Sequence, residues 1–115
     1  MKKYQIMTPL VGGARTATAA QSLGNFPANF DEVAGYLIVT ATSGTDETLD
    51  MVYQTTPDGG TTWFDHTSFT QATAATTEKK VFANAGVEAR LSYTIGGTAT
   101  PTFTFSFIME GKKNG

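Results

Sequence analysis

The residues best suited to acid–base chemistry are few, and they begin with His66, the single histidine of the chain, which follows Asp65 directly. A lone imidazole cannot form a paired-histidine metal site, and it leaves only one way to build a serine triad. Neighbouring side chains of an extended segment point to opposite faces, so Asp65 and His66 are poorly placed as a dyad and His66 reads as a surface or loop residue. No serine stands in a Gly-x-Ser-x-Gly elbow, and there is no phosphate loop or dinucleotide fingerprint. The carboxylates group as Asp46, Glu47 and Asp50, and as Asp31 with Glu32. Neither group has the alternate spacing and terminal bidentate glutamate of a calcium loop, and the first falls where charge keeps a turn soluble. With no cysteine, thiolate zinc sites, iron–sulfur ligation, disulfides and cysteine nucleophiles are excluded. The expectation is a chain that is not an enzyme, with no catalytic residue, cofactor, metal or small-molecule substrate.

The sharpest local motif is Thr56-Pro57-Asp58-Gly59-Gly60-Thr61-Thr62-Trp63. It resembles the Asp-box, whose fixed positions are Ser or Thr, Asp, Gly, Thr and an aromatic. Its sense is local: Asp58 can accept bonds from turn amides, Gly60 permits positive φ, and Trp63 is expected to pack the hairpin onto the core. In sialidase-like propellers the box recurs in each blade, away from catalysis. One copy cannot make a propeller, so Asp58, Gly60 and Trp63 are read as a structural hairpin.

The elements that must hold these residues follow a period of two. Gly35 to Thr42 sets Leu37, Val39 and Ala41 against Tyr36, Ile38 and Thr40, and Thr48 to Thr55 sets Leu49, Met51 and Tyr53 against Asp50, Val52 and Gln54. Both read as strands, joined into a hairpin by Ser43-Gly44-Thr45-Asp46-Glu47. Thr61 to Asp65, Ser68 to Gln71 and Lys79 to Ala83 read as shorter strands around the loop Ala72 to Thr77. Glu88 to Ile95 and Thr102 to Glu110 read as two further strands, broken by Gly96-Gly97; Phe103, Phe105 and Phe107 on one face mark the last as core. Gly44-Thr45 and Gly97-Thr98 form a faint internal echo, read as two similar hairpin corners. No helical period is capped at both ends, and Asn29 to Gly35 could form one turn at most. The fold class expected is all-β, an antiparallel, jelly-roll-like β-sandwich.

The first 30 residues are less regular. The simpler reading is an edge strand at Arg15 to Ala19 after a tail; the sharper one is a loosely structured N-terminal arm that orders against a neighbouring subunit. The chain, 115 residues long, is thus divided into an arm and edge strand, 1–30, and a sandwich core, 31–115, in one domain overall. Tyr4, Ile6, Met7 and Leu10, with Phe26 and Phe30, are the expected interaction residues.

Net charge is −2 and 16% of residues are charged, below the roughly 25% of an average domain. The eight Lys and Arg are dispersed, with Lys2, Lys3, Lys112 and Lys113 at the ends as solubilising charges, so no basic stripe suits nucleic acid. No run approaches the roughly 18 apolar residues of a membrane span, and no signal peptide is expected. A Thr-, Ser- and Gly-rich surface costs less to cover than a charged one.

Tyr36 to Asp65, Phe69 to Thr73 and Ala89 to Ile108, about two-thirds of the chain, resemble a family of small structural proteins of tailed bacteriophages. The likeness lies in phrase order: a hydrophobic strand into Ser-Gly-Thr, then Asp-Gly-Gly-Thr-Trp, Phe-Thr-Gln and Gly-Gly-Thr-x-x-Pro-x-Phe-x-Phe. Ala14 to Thr18 matches a short strand near the family's N-terminus, while Asp46-Glu47 departs from its usual small residues and proline. The resemblance implies a capsid cement or decoration protein on the virion surface, made in the host cytoplasm. Its partners would be the major capsid protein and sister copies in a homo-oligomer. Two alternatives are a tail or neck component, and a carbohydrate-binding host-adhesion module using Tyr36, Tyr53 or Trp63 as sugar platforms.

Overall fold

The computed structural model describes residues 3–113 and consists of six strands and one 3-10 turn. These are β1 (Lys3–Arg15), β2 (Ala19–Gly24), the turn Phe26–Asn29, β3 (Glu32–Thr56), β4 (Phe64–Ser68), β5 (Thr76–Ala83) and β6 (Glu88–Lys113). Every pairing between strands is antiparallel.

Strand length decides the architecture. β3 has 25 residues and β6 has 26, and a straight strand of that length would span about 80 Å. The longest dimension of the molecule is 49 Å, so both strands must bend. They do so opposite each other: register shifts in β3 lie between Val39 and Thr48, facing the Gly96–Thr104 stretch of β6. Gly44 (φ 118°) and Gly97 (φ 122°) sit in the two bends, with Asp46, Ala99 and Thr100 also at positive φ.

The bends fold one sheet into two layers. The first layer runs β1, the C-terminal half of β6, the N-terminal half of β3, then β5; the second runs β2, the N-terminal half of β6, the C-terminal half of β3, then β4. The inner faces meet through Tyr93 on Phe105 and Phe69 on Phe107, both edge-to-face with centroids 5.3 Å apart. An overall thickness of 19 Å matches two sheets about 10 Å apart plus outer side chains. The all-β, antiparallel sandwich is as expected.

The expected hairpin at Ser43–Glu47 and the expected break at Gly96-Gly97 are corrected by this topology. Gly35–Thr42 and Thr48–Thr55 do not pair with each other; both pair with β6. Glycine with small polar residues serves a bulged corner as well as a reverse turn. The echo between Gly44-Thr45 and Gly97-Thr98 is therefore a pair of facing bends, with Thr45 opposite Thr98.

The loose N-terminal arm and the division at residue 30 are corrected too. β1 pairs with β6 from Lys3 opposite Lys113 to Arg15 opposite Phe103, and Leu10, Leu23 and Phe26 belong to the common core. Two irregularities interrupt β1, between Met7 and Leu10 and between Leu10 and Gly13. Arg15 secures them: its guanidinium donates to the carbonyls of Val11 (2.7 Å), Gly13 (3.1 Å) and Phe105 (2.6 Å), and lies 4.6 Å from the Phe105 ring centroid. The strand expected at Arg15–Ala19 is the link between β1 and β2, where Thr18 Oγ1 accepts from the Ile95 amide.

Other boundaries move less. Trp63 precedes β4, and of the strand expected at Ser68–Gln71 only Ser68 belongs to β4, while the residues beyond it are tied to β3 by the Phe69 amide on the Met51 carbonyl and by the Gln71 side chain on Asp50. Among the terminal lysines, Lys112 pairs with Glu32 at 3.4 Å, and Lys2 lies outside the described residues.

Tyr53 carries a polar handle into the core. Tyr53 is fully buried and donates its hydroxyl to the Ala85 carbonyl at 2.8 Å, and burial raises its pKa far above that of a free phenol. A raised pKa in the folded state means this contribution is intact below the unfolded value of about 10 and is lost as pH rises past it. Tyr53→Phe is expected to cost about 1–2 kcal/mol at neutral pH, because the carbonyl loses its donor. Urea melts from pH 7 to pH 11 should show that gap narrowing above pH 10.

Candidate interaction surface

The chemically capable residues do not converge. His66 is exposed; its Nδ1 lies 2.7 Å from Thr67 Oγ1, and its ring packs near Tyr53 and Phe82, at 5.7 and 5.1 Å between centroids. Asp65 turns the other way and accepts from Gln54 Nε2 at 2.8 Å, as strand alternation requires. Asp50 accepts from Gln71 Nε2, at 3.1 and 3.2 Å to its two oxygens. Glu47 Oε2 is covered at the β3 bend without a hydrogen-bond partner among the described residues. No group of three His, Cys, Asp or Glu among the described residues could hold a metal ion.

The Asp-box forms a closed local network. Asp58 Oδ1 accepts from the Thr62 amide and the Thr56 hydroxyl, each at 2.8 Å, and Thr56 Oγ1 accepts from the Gly60 amide at 2.9 Å. Gly59 and Gly60 have φ of 75° and 101°, the conformations foreseen for this turn. The Thr62 amide, then the Thr56 and Thr62 side chains, hold the Asp58 carboxyl below the ordinary aspartate range. A depressed pKa means that the loop is tied down above the unfolded value and loosens as pH falls through the folded one. Asp58→Ala is expected to speed amide hydrogen exchange at Gly60 and Thr62 while leaving β6 protected.

Trp63 departs from its expected place in the core. It is half-buried outside the core cluster, with the Arg90 guanidinium 4.3 Å from its ring centroid. Lys79 covers the Tyr36 ring at 5.3 Å, and Tyr53 is fully buried. Of the three sugar platforms considered, Trp63 and Tyr36 thus each have one ring face covered by a cation, and Tyr53 presents none.

The interaction residues divide. Tyr4 and Ile6 are 63% and 65% exposed, whereas Leu10 and Phe26 are buried and Met7 and Phe30 pack against the core. Phe30 lies on Phe26, centroids 4.8 Å apart, and against the backbone of Gly111. These four serve the core because bulges and the 3-10 turn carry them inward.

What surrounds Tyr4 and Ile6 is the more telling feature. Cross-strand partners share a face, and Tyr4 is opposite Lys112 while Ile6 is opposite Glu110. Continuing across the layer, Glu110 is opposite Ala34 and Ala34 opposite Val81, while Ile108 is opposite Tyr36 and Tyr36 opposite Lys79. The outer face of the first layer thus gathers Tyr4, Ile6, Ile108, Tyr36, Ile38 and Val81. Its charges are engaged within the chain: Lys112 with Glu32, Glu110 as acceptor for the Tyr36 hydroxyl at 3.2 Å, and Lys79 over the Tyr36 ring.

The second layer's outer face is built differently. Arg90, Ser92 and Thr94 of β6 lie opposite Gln54, Val52 and Asp50 of β3. Arg90 Nε donates to Gln54 Oε1 at 2.7 Å and Gln54 in turn to Asp65, as befits a layer turned to water. The signal for the apolar outer face stood in the sequence: Tyr36 and Ile38 are apolar on the side opposite Leu37 and Val39. A strand apolar on both faces reads as covered on both.

No protein-family model and no curated protein matches the sequence. Among solved structures, the chain is similar to one from a study describing Bacillus endospore appendages as a family of disulfide-linked pili. The two are 16% identical with a TM-score of 0.50, over 97% of this chain and 92% of that one. At that identity the likeness is one of fold: this chain shares the β-rich architecture of that protein.

Proposed function

We propose that the chain is a non-enzymatic structural protein of a virus particle, a cement or decoration protein that binds the head shell of a tailed phage and stabilises it alongside sister copies. The observation that carries this reading is that the outer face of the first layer, apolar at Tyr4, Ile6, Ile108, Tyr36, Ile38 and Val81 and without net charge, suits burial within an assembly of shell and sister copies. Covering such a face removes apolar surface from water and buries no net charge. The ordered phrases of the sequence support the same reading, and so does the layering, which we read as a jelly roll. The protein of similar fold comes from appendages described as disulfide-linked pili. This chain has no cysteine and would have to assemble without disulfide links.

The test is to add purified chain to shells lacking it and follow co-sedimentation and thermal rupture. Binding at a fixed ratio per shell subunit with delayed rupture supports the proposal; no binding, together with absence from purified virions, overturns it. Labelled copies seen at the tail or neck would move the protein to that part of the particle.

A further inference from the structure

We infer that the outer face of the first layer is a self-association surface whose occupant is the same face of a second copy, packed sheet against sheet. The two outer faces of one sandwich differ in kind. That of the second layer is tied by hydrogen bonds among Arg90, Gln54 and Asp65 and between Gln71 and Asp50, whereas that of the first places Ile6, Val81, Ile108 and Ile38 on a sheet that no element among the described residues covers.

Charge selects the occupant. The face carries Glu32, Glu110, Lys79 and Lys112 and is therefore neutral, with each of these engaged by a neighbour in the same chain. Lys112 and Glu32 form an ion pair, Glu110 accepts from a neutral hydroxyl and Lys79 lies over a ring, so a strongly acidic or basic partner would meet repulsion as well as attraction. An identical face brings matching apolar area and equal numbers of positive and negative groups, and two-fold symmetry uses every contact twice.

Area agrees with this choice. Glu32 to Thr40 of β3 spans about 30 Å, and four strands span about 19 Å, so the flat area is on the order of 600 Å² before side-chain relief is added. A standard interface buries roughly 800 Å² per partner.

This deepens the assembly reading and rests on it for purpose, but its test needs only the purified chain, so failure of shell binding and failure of self-association are separate results. Sedimentation equilibrium would be run at tens of micromolar on the wild type, on Ile6→Lys/Val81→Lys, and on Ser68→Lys/Thr94→Lys. Ile6 and Val81 are 65% and 52% exposed, so lysine there leaves the core intact, which circular dichroism and the melting temperature would verify. The expected result is a wild-type dimer, a monomeric Ile6→Lys/Val81→Lys variant, and an unchanged dimer for the opposite-face variant. A monomeric wild type, or a dimer that survives Ile6→Lys/Val81→Lys, overturns the inference. So does a monomeric wild type whose shell binding is lost in Ile6→Lys/Val81→Lys, since the shell would then be the occupant.

Discussion

Phe107→Ala is expected to destabilise the protein by about 3–5 kcal/mol, lowering the melting temperature by roughly 12–20 °C for a domain of this size. Phe107 is fully buried and meets Phe69 of the opposite layer edge-to-face. Its ring also covers the backbone of Gly35, where an added Cβ would come within 2.8 Å of it. The ring thus touches its own layer and the facing one, and the space it leaves is walled by strands that cannot close in. Ile108→Ala, one residue on but facing outward, is expected to cost about 1 kcal/mol. Urea unfolding of both variants separates the inward from the outward side of β6, and equal costs would contradict the layer assignment.

Gly97→Ala should have the second large effect, about 3 kcal/mol, combining roughly 1–2 kcal/mol of left-handed backbone strain with a steric clash. A Cβ at Gly97 would lie 2.9 Å from the Glu47 Cα and the Thr45 carbonyl oxygen, and 3.0 Å from that of Asp46. All three are backbone atoms of the facing bend, so no rotamer change relieves the contact. Gly59→Ala is the control: its φ is also positive, at 75°, but nothing lies within 4 Å of the added atom, and it is expected to cost about 1 kcal/mol. Thermal melts of the two variants distinguish close approach of the bends from backbone preference alone; similar losses would mean that the two bends are not in contact.

Much of the candidate surface was half legible beforehand. Tyr4 and Ile6 stood out as apolar residues in an irregular segment, and they do lie exposed. Leu10 and Phe26 looked equivalent but are buried, because bulges in β1 and the 3-10 turn reverse the faces that simple alternation assigns. Ile108 and Val81 join the surface only through pairings between segments far apart in the chain.

What the amino-acid order determined unaided is whatever depends on a few neighbouring residues: extended backbone over Gly35–Thr42, Thr48–Thr55, Glu88–Ile95 and Thr102–Glu110, the inward row Phe103, Phe105, Phe107 and Met109, and the Asp58 turn with its glycines. These follow from side-chain alternation and hydrogen bonds that close within a handful of positions. The tertiary structure alone decided that Gly44 and Gly97 bend two long strands rather than end them, that the first residues join the sheet, and that apolar residues from four strands form one outer face. The same glycine-rich stretch satisfies its backbone as a reverse turn or as a corner. Which one forms depends on whether its flanking segments pair with each other or with a common distant partner, and here that partner is β6.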